Sequence, residues 1–207
     1  MFARSLLASV FGLTLIASPA LAFDRYYGGS DPQMEAMYND PQGEPDLDPQ
    51  LRLGRQAPLV TRIRVADPTG EAPGTITVDT QNRYLYLSQD DGSAIRYDVG
   101  VGREGFAWQG RARIGRKAEW PGWTPPKDML KRRPDLPRHM EGGIDNPLGA
   151  RAMYLYNGKR DTMFRIHGSN EPWTIGQAVS SGCIRMTNDD VEDLYRRVRV
   201  GTKVVVL

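Results

Sequence analysis

The stretch HGSNEPWTIGQAVSSGCIR, residues 167–185, holds the chain's only cysteine, Cys183, and one of its two histidines, His167. A lone thiol is ordinarily a small buried apolar side chain. Here Ser180, Ser181 and Gly182 precede it, and such residues suit a turn whose backbone N–H groups point at a ligand more than a packed core strand. His167 closes the strand-like run FRIH and is followed at once by Gly168, which sets its ring where a strand gives way to a loop. A folded loop then brings the chain back to Cys183. A thiol becomes a strong nucleophile as thiolate, and a neighbouring imidazole can take its proton. The N–H groups around Gly182 and Cys183 could hold the oxyanion of an acyl intermediate.

Other chemistries find less support. With no second cysteine and no HxxxH or HxH pattern, no metal site is expected. His139, in PRHMEGG, is read as an ordinary loop residue. The run GVGREG at 100–105 looks like a phosphate loop but lacks the lysine–serine ending and a following helix. Asp189 and Asp190 sit where a helix begins and suit its dipole. Arg185 is either a surface ion-pair partner or a residue that positions a carboxylate or the loop. Basic and acidic residues nearly balance, 27 against 25, so no nucleic-acid footprint is present. A single cysteine also excludes an intramolecular disulfide framework.

Outward from this stretch, the sequence divides into three parts. Residues 1–22, MFARSLLASVFGLTLIASPALA, have the design of a secretory signal: Arg4, an apolar run and an Ala20-Leu21-Ala22 cleavage site. The apolar run is about 12 residues, short of the roughly 20 that span a bilayer, and no later segment is apolar enough to cross one. Export with cleavage is expected, and a free thiol in an oxidising compartment is a liability unless hidden or used. Residues 23–57, rich in Asp, Pro, Gly and Gln, read as a flexible arm. Residues 58–207 form one mainly β domain. Alternating runs at Leu59–Val65, Thr75–Val78, Arg83–Ser88, Ala94–Val101, Ala152–Tyr156 and Thr162–His167, with a closing strand at Lys203–Leu207, predict its strands. One short helix follows Cys183, capped by Thr187 or Asn188, with Leu194 and Val198 on its apolar face and Arg196, Arg197 and Arg199 in its last turn.

The middle, Gly102 to Gly149, is dominated by Gly, Pro, Trp and basic residues and is expected to be a long loop. Trp108, Trp120 and Trp123 offer flat apolar walls, and Lys127, Lys131, Arg132 and Arg133 could attract carboxylates. Part of Gly105–Leu148 is therefore expected to fold as a lid over the Cys183 groove. The alternative is that the tryptophans fill the core.

H-G-S, a loop, then S-S-G-C-I-R-M resembles the signature of the L,D-transpeptidase (YkuD-type) catalytic domain, HG(T/S)…(S/T)HGC(I/V)R. The resemblance runs from about Thr75 to Leu207: TITVDTQNRYLYL is similar to the family's opening hairpin, YDVGVGR to the next strand and turn, NPLGARAMYL to the strand before the histidine, and VGTKVVVL to the closing strand. It implies a β-sandwich-like fold with a short helix after the cysteine and an exported enzyme of the periplasm or cell wall acting on peptidoglycan tetrapeptide stems. It implies no cofactor, and carbapenem-type inhibitors as acylating ligands. Position by position, Cys183 matches the nucleophile and His167 the general base. Gly168 matches the carbonyl that orients the histidine, and Ser181, Gly182 and Cys183 match the oxyanion positions. Arg185 matches the arginine after the cysteine, and Ser169 fills the third place of HG(T/S). Arg185, Ser169 and Trp123 are candidates for substrate binding. Ser181 stands where the family has histidine, which preserves the peptide N–H but removes an imidazole. Transfer to a stem amine, to a lipoprotein lysine or to water shares the same first step, and a non-catalytic wall-binding module is the rival from another class.

Overall fold

The computed structural model describes residues 60–103 and 108–207. The signal segment, the 23–57 arm and the 104–107 part of the expected lid lie outside the described residues. Four antiparallel strands open the domain, β1 (Ile63–Ala66), β2 (Ile76–Asp79), β3 (Tyr84–Ser88) and β4 (Ser93–Asp98): β2, β3 and β4 form a meander and β1 pairs with the outer side of β4. Their period-2 pattern buries Ile76, Val78, Leu85 and Leu87. Gly92, at φ +77°, turns β3 into β4, and the Asp91 carboxylate accepts the Ser93 N–H beside it.

The sheet continues through β11 (Lys203–Val206), β6 (Gly110–Glu119), β7 (Arg151–Asn157), β8 (Arg160–His167) and β10 (Ile184–Arg185), in the order β1-β4-β3-β2-β11-β6-β7-β8-β10. The last strand in the chain thus joins the opening meander to the half that carries the histidine. A small second sheet pairs β5 (Val101–Gly102) with β9 (Ala178–Ser180). The large sheet folds back on itself, because Gly100, just past β4, exchanges two backbone hydrogen bonds of 2.9 and 2.8 Å with Arg185 of β10. This closure gives the sandwich-like body.

Two features depart from the expected long loop at 102–149. Residues 110–119 form β6, a ten-residue strand at the centre of the sheet. Its alternation is hidden because the register slips between Ile114 and Arg116, and Gly115 packs so tightly on the Tyr156 ring that a Cβ would overlap it. A second helix, α1 (Lys127–Arg132), lies in the remaining segment, ahead of the expected one.

The expected helix is α2 (Asn188–Arg197), and its ends follow the sequence cues. Thr187 accepts the Asp190 N–H, Asp189 and Asp190 fill the first turn, and Arg196 and Arg197 the last. Val191 and Leu194 are fully buried. Lys117 of β6 donates to the carbonyls of Tyr195 and Val198 at 2.6 and 2.7 Å and so satisfies the helix's C-terminal acceptors. No described helix is long and apolar enough to cross a membrane.

Candidate active site

β8 and β10 run parallel, with Ile184 opposite Ile166 and Arg185 opposite His167. Residues alternate across a strand, so Phe164, Ile166 and Ile184 face the apolar interior while Arg165, His167 and Arg185 share the other face. Continued one residue back, the register sets Cys183 beside Arg165 on that same face. A hydrogen bond from the Arg165 backbone meets the thiol. Cys183, the residue just before β10, and His167 of β8 are thus diagonal neighbours.

His167 is buried, and its Nδ1 lies 2.5 Å from the Gly168 carbonyl. A carbonyl cannot donate, so Nδ1 carries the proton and Nε2 keeps its lone pair. Burial, then the charge of Arg185, pushes the imidazole down to about 3. The thiol is pushed up, chiefly by burial, with Arg165 and Arg185 acting against the rise. Although part of the cysteine's surface is open, the surroundings of its sulfur are dense enough for desolvation to dominate. The resting pair is a neutral thiol and a neutral imidazole.

The turn before the cysteine is braced from within. Ser180 Oγ accepts the Gly182 N–H at 3.1 Å and donates to the Cys183 carbonyl at 2.6 Å. Gly182 sits at φ +109°, a conformation that side chains disfavour. The Gly182 N–H is therefore engaged by Ser180, while among the described residues no hydrogen bond takes up the N–H of Ser181 or Cys183.

Of the remaining candidates, Arg185 pairs with Glu171 at 3.3 Å across the loop. Ser169 is buried and accepts the Glu171 N–H at 2.9 Å, which shapes the same loop. Asn188, at the start of α2, accepts the Ala150 N–H at 2.9 Å and lies so close to Gly168 that any side chain there would collide with it. The far end of the 120–149 segment also reaches this loop, where Asn170 donates to the Asp145 carbonyl at 3.0 Å.

The tryptophans separate. Trp108 is buried and stacks on Phe164 with ring centroids 5.3 Å apart, on the apolar side of β8, so for this residue the core-filling alternative holds. Trp120 is exposed, and Trp123 is half-buried and bridges to Met140. No described contact joins Trp123 to Cys183 or His167. His139 is exposed beside Thr124 and Glu141. Among the described residues no three His, Cys, Asp or Glu side chains gather as a metal site.

Asp161 and Arg165, whose charges act on the thiol, and Tyr154, whose ring meets Arg165, drew no attention in the sequence. The usable signal was alternation, which puts Arg165 on the His167 face, but nothing local marks a bulge that brings Asp161 to it.

Residues 73–206 match the family model described as the L,D-transpeptidase catalytic domain. The chain belongs to the L,D-transpeptidase family. A probable L,D-transpeptidase of Escherichia coli K12, ErfK/SrfK, is 30% identical over 91% of this chain and 59% of its own length. A solved protein of Brucella melitensis, described as a probable carnitine operon oxidoreductase, is 50% identical, covering 70% of this chain and 92% of that one, with a TM-score of 0.49. A solved structure described as the Ldtfm-avibactam carbamoyl enzyme is 20% identical, covering 66% of this chain and 49% of that one. Its TM-score of 0.51 reflects the shared fold. The chain spans 59% of the length of ErfK/SrfK.

Proposed function

We propose that this chain is an exported, cysteine-dependent L,D-transpeptidase that joins peptidoglycan stems through a thioester on Cys183. The observation that carries the proposal is the fixed tautomer of His167: Nδ1–H is held by the Gly168 carbonyl, and the strand register sets this ring one diagonal step from Cys183. Nε2 takes the thiol proton as the sulfur attacks the carbonyl of the donor stem's third residue. The resulting oxyanion is received by the N–H groups of Ser181 and Cys183, with Gly182 and Ser180 holding the turn. As the tetrahedral intermediate collapses, the bond to the terminal D-alanine breaks and its nitrogen takes the proton from His167. A diaminopimelate side-chain amine then attacks the thioester, its proton passes back through His167, and the sulfur leaves. A 3–3 cross-link forms. The donor peptide supplies the bond energy, so the chemistry requires no nucleotide. Arg185, tied to Glu171, and Ser169 keep the loop in place around the acyl group.

The test is incubation of the purified protein with tetrapeptide muropeptides and mass analysis of the products. Cross-linked dimers with free D-alanine support transfer to an amine. Tripeptide alone indicates transfer to water, and a product only when a lysine peptide is supplied indicates protein attachment. Binding without any covalent change would overturn the proposal in favour of a wall-binding module. Export to the periplasm or cell wall is tested by fractionating cells that express the full chain.

A further inference from the structure

We propose that Arg165, whose guanidinium is held by Asp161 and by the ring of Tyr154, stabilises the Cys183 thiolate through space. The inference rests on Cys183 being the nucleophile and adds a residue that tunes it. Three independent features build this arrangement. The first is the register, which sets Arg165 beside Cys183 on one face of two paired strands. The second is a bulge. Asp161 lies opposite Tyr156 and Arg165 opposite Tyr154, so β8 spends four residues where β7 spends two. Met163, inside the bulge, takes a left-handed φ of +64°, and its N–H is received by Asp161 at 2.8 Å. Bulges next to active sites commonly re-aim a side chain, and strain of this kind persists only where the surroundings hold it.

The third feature is the clamp on the guanidinium itself. Both of its terminal nitrogens meet the two Asp161 oxygens at 3.1 Å, one of them also meets the Phe164 carbonyl at 3.1 Å, and the group lies 4.7 Å from the Tyr154 ring centre. Its side chain is 14% exposed. These donors are already committed to protein acceptors. What Arg165 offers the site is therefore its charge, at a place where low exposure keeps that charge from being screened by water. Asp161 opposes part of it, so the two act on the thiol with opposite sign. The other groups on this face are His167 of β8, Arg185 of β10 with its partner Glu171, Tyr154 of β7, and Arg116 of β6, which lies 3.4 Å over the same Tyr154 ring. Burial pushes the Cys183 thiol up, and Arg165 and Asp161 respectively lower and raise it.

The experiment is alkylation of the full chain by iodoacetamide across pH, scored by mass. The thiolate displaces iodide and forms a carbon–sulfur bond, so the rate follows the thiolate fraction. Arg165→Met is expected to move the midpoint up by about one unit and slow alkylation at pH 7 about tenfold. Arg165→Lys is expected to recover most of that loss. Asp161→Asn, whose amide oxygen still accepts from Met163 and Arg165, is expected to move the midpoint down. A merely structural role for the bulge would not give shifts of opposite sign. An unchanged midpoint in a natively melting Arg165→Met overturns the proposal. Should that variant not fold, an upward or unchanged midpoint in Asp161→Asn overturns it instead. Alkylation needs no stem peptide: shifts without muropeptide turnover would leave this inference standing and remove the acyl-transfer proposal, and turnover without shifts would do the reverse.

Discussion

Chemistry at the residue scale is governed by how burial splits the two members of the pair. His167 has an ordinary value of 6.5, and in the folded chain it is held down to about 3. The unfolded chain therefore takes up a proton on this ring between those limits, and the folded chain does not. The stabilisation is complete above about pH 6.5 and is lost as pH falls toward 3. His167→Gln is expected to flatten the acid limb of melting temperature over that window. An acid limb as steep as the wild type's would contradict the buried neutral ring. The thiol, raised above its ordinary 9.0, acts at the other end: its contribution is present below pH 9 and is lost as pH rises past it. Cys183→Ser is expected to keep the fold and lower acyl transfer by at least about a thousandfold, because a hydroxyl is far harder to ionise than a thiol. A carbapenem should add its mass to the wild type and not to this variant; an adduct on Cys183→Ser would place the nucleophile elsewhere. Cys183 and His167 stood out in the sequence because few residue types can do this chemistry and they lie in one short stretch, whereas Gly168 lends a backbone carbonyl that any residue type supplies and was marked by the family resemblance. Asp161 and Arg165 did not stand out, because each is a common charged residue whose task comes from a bulge, and Ser180 was legible as part of the turn but not as its brace.

Elements were legible where one periodicity ran unbroken. The opening strands, β7, β8 and β11 carry alternating or continuous apolar runs, and α2 carries its cap, acidic first turn and basic last turn in the letters themselves. Thr187→Ala is expected to cost about 1 kcal/mol in chemical denaturation, the usual loss when a capping oxygen is removed; no loss would mean that the cap bond contributes nothing. β6 escaped notice because Gly115 breaks its alternation and arginines crowd its exposed face, so a central strand has the composition of a loop. The segment after it remains the candidate lid. Trp123 and Met140 exchange two backbone hydrogen bonds of 2.8 Å, and Thr124 Oγ1 meets His139 Nδ1 at 3.0 Å. Removing Pro125–Pro137 would thus leave a short hairpin closed by bonds that already exist. That deletion is expected to raise the KM for muropeptides several-fold and leave the melting temperature nearly unchanged. Unchanged kinetics would assign the segment a structural role alone.

For the whole molecule, the first turn of α2 is the point where distant parts are joined. Asn188 holds Ala150 and abuts Gly168, next to His167. Two residues on, Asp190 is completely buried and accepts the Thr61 N–H and hydroxyl, both at 2.8 Å, and Arg62 at 3.0 Å. One turn further, Asp193 accepts the Tyr97 hydroxyl of β4 at 2.8 Å and pairs with Arg197. The entry to β1, its neighbour β4 and the 168–170 loop therefore share one helix, although the sheet order sets β1 and β4 at the opposite end from β8 and β10. No local pattern reveals this, since a first-turn aspartate is already accounted for by the helix dipole. A buried carboxylate is tolerated when every lone pair is met, and breaking such a pair from one side is costly because the other charge is left unmatched. Asp190→Ala is accordingly expected to lower stability by about 3–5 kcal/mol. A cycle of Arg62→Met, Asp190→Asn and the double variant isolates the pair itself and is expected to give a coupling of about 1–3 kcal/mol. Hydrogen exchange adds the molecular consequence: in Asp190→Asn, amides of both β1 and the 168–170 loop should exchange faster together. Faster exchange confined to β1 would show that the helix only anchors the edge strand and does not link it to the 168–170 loop.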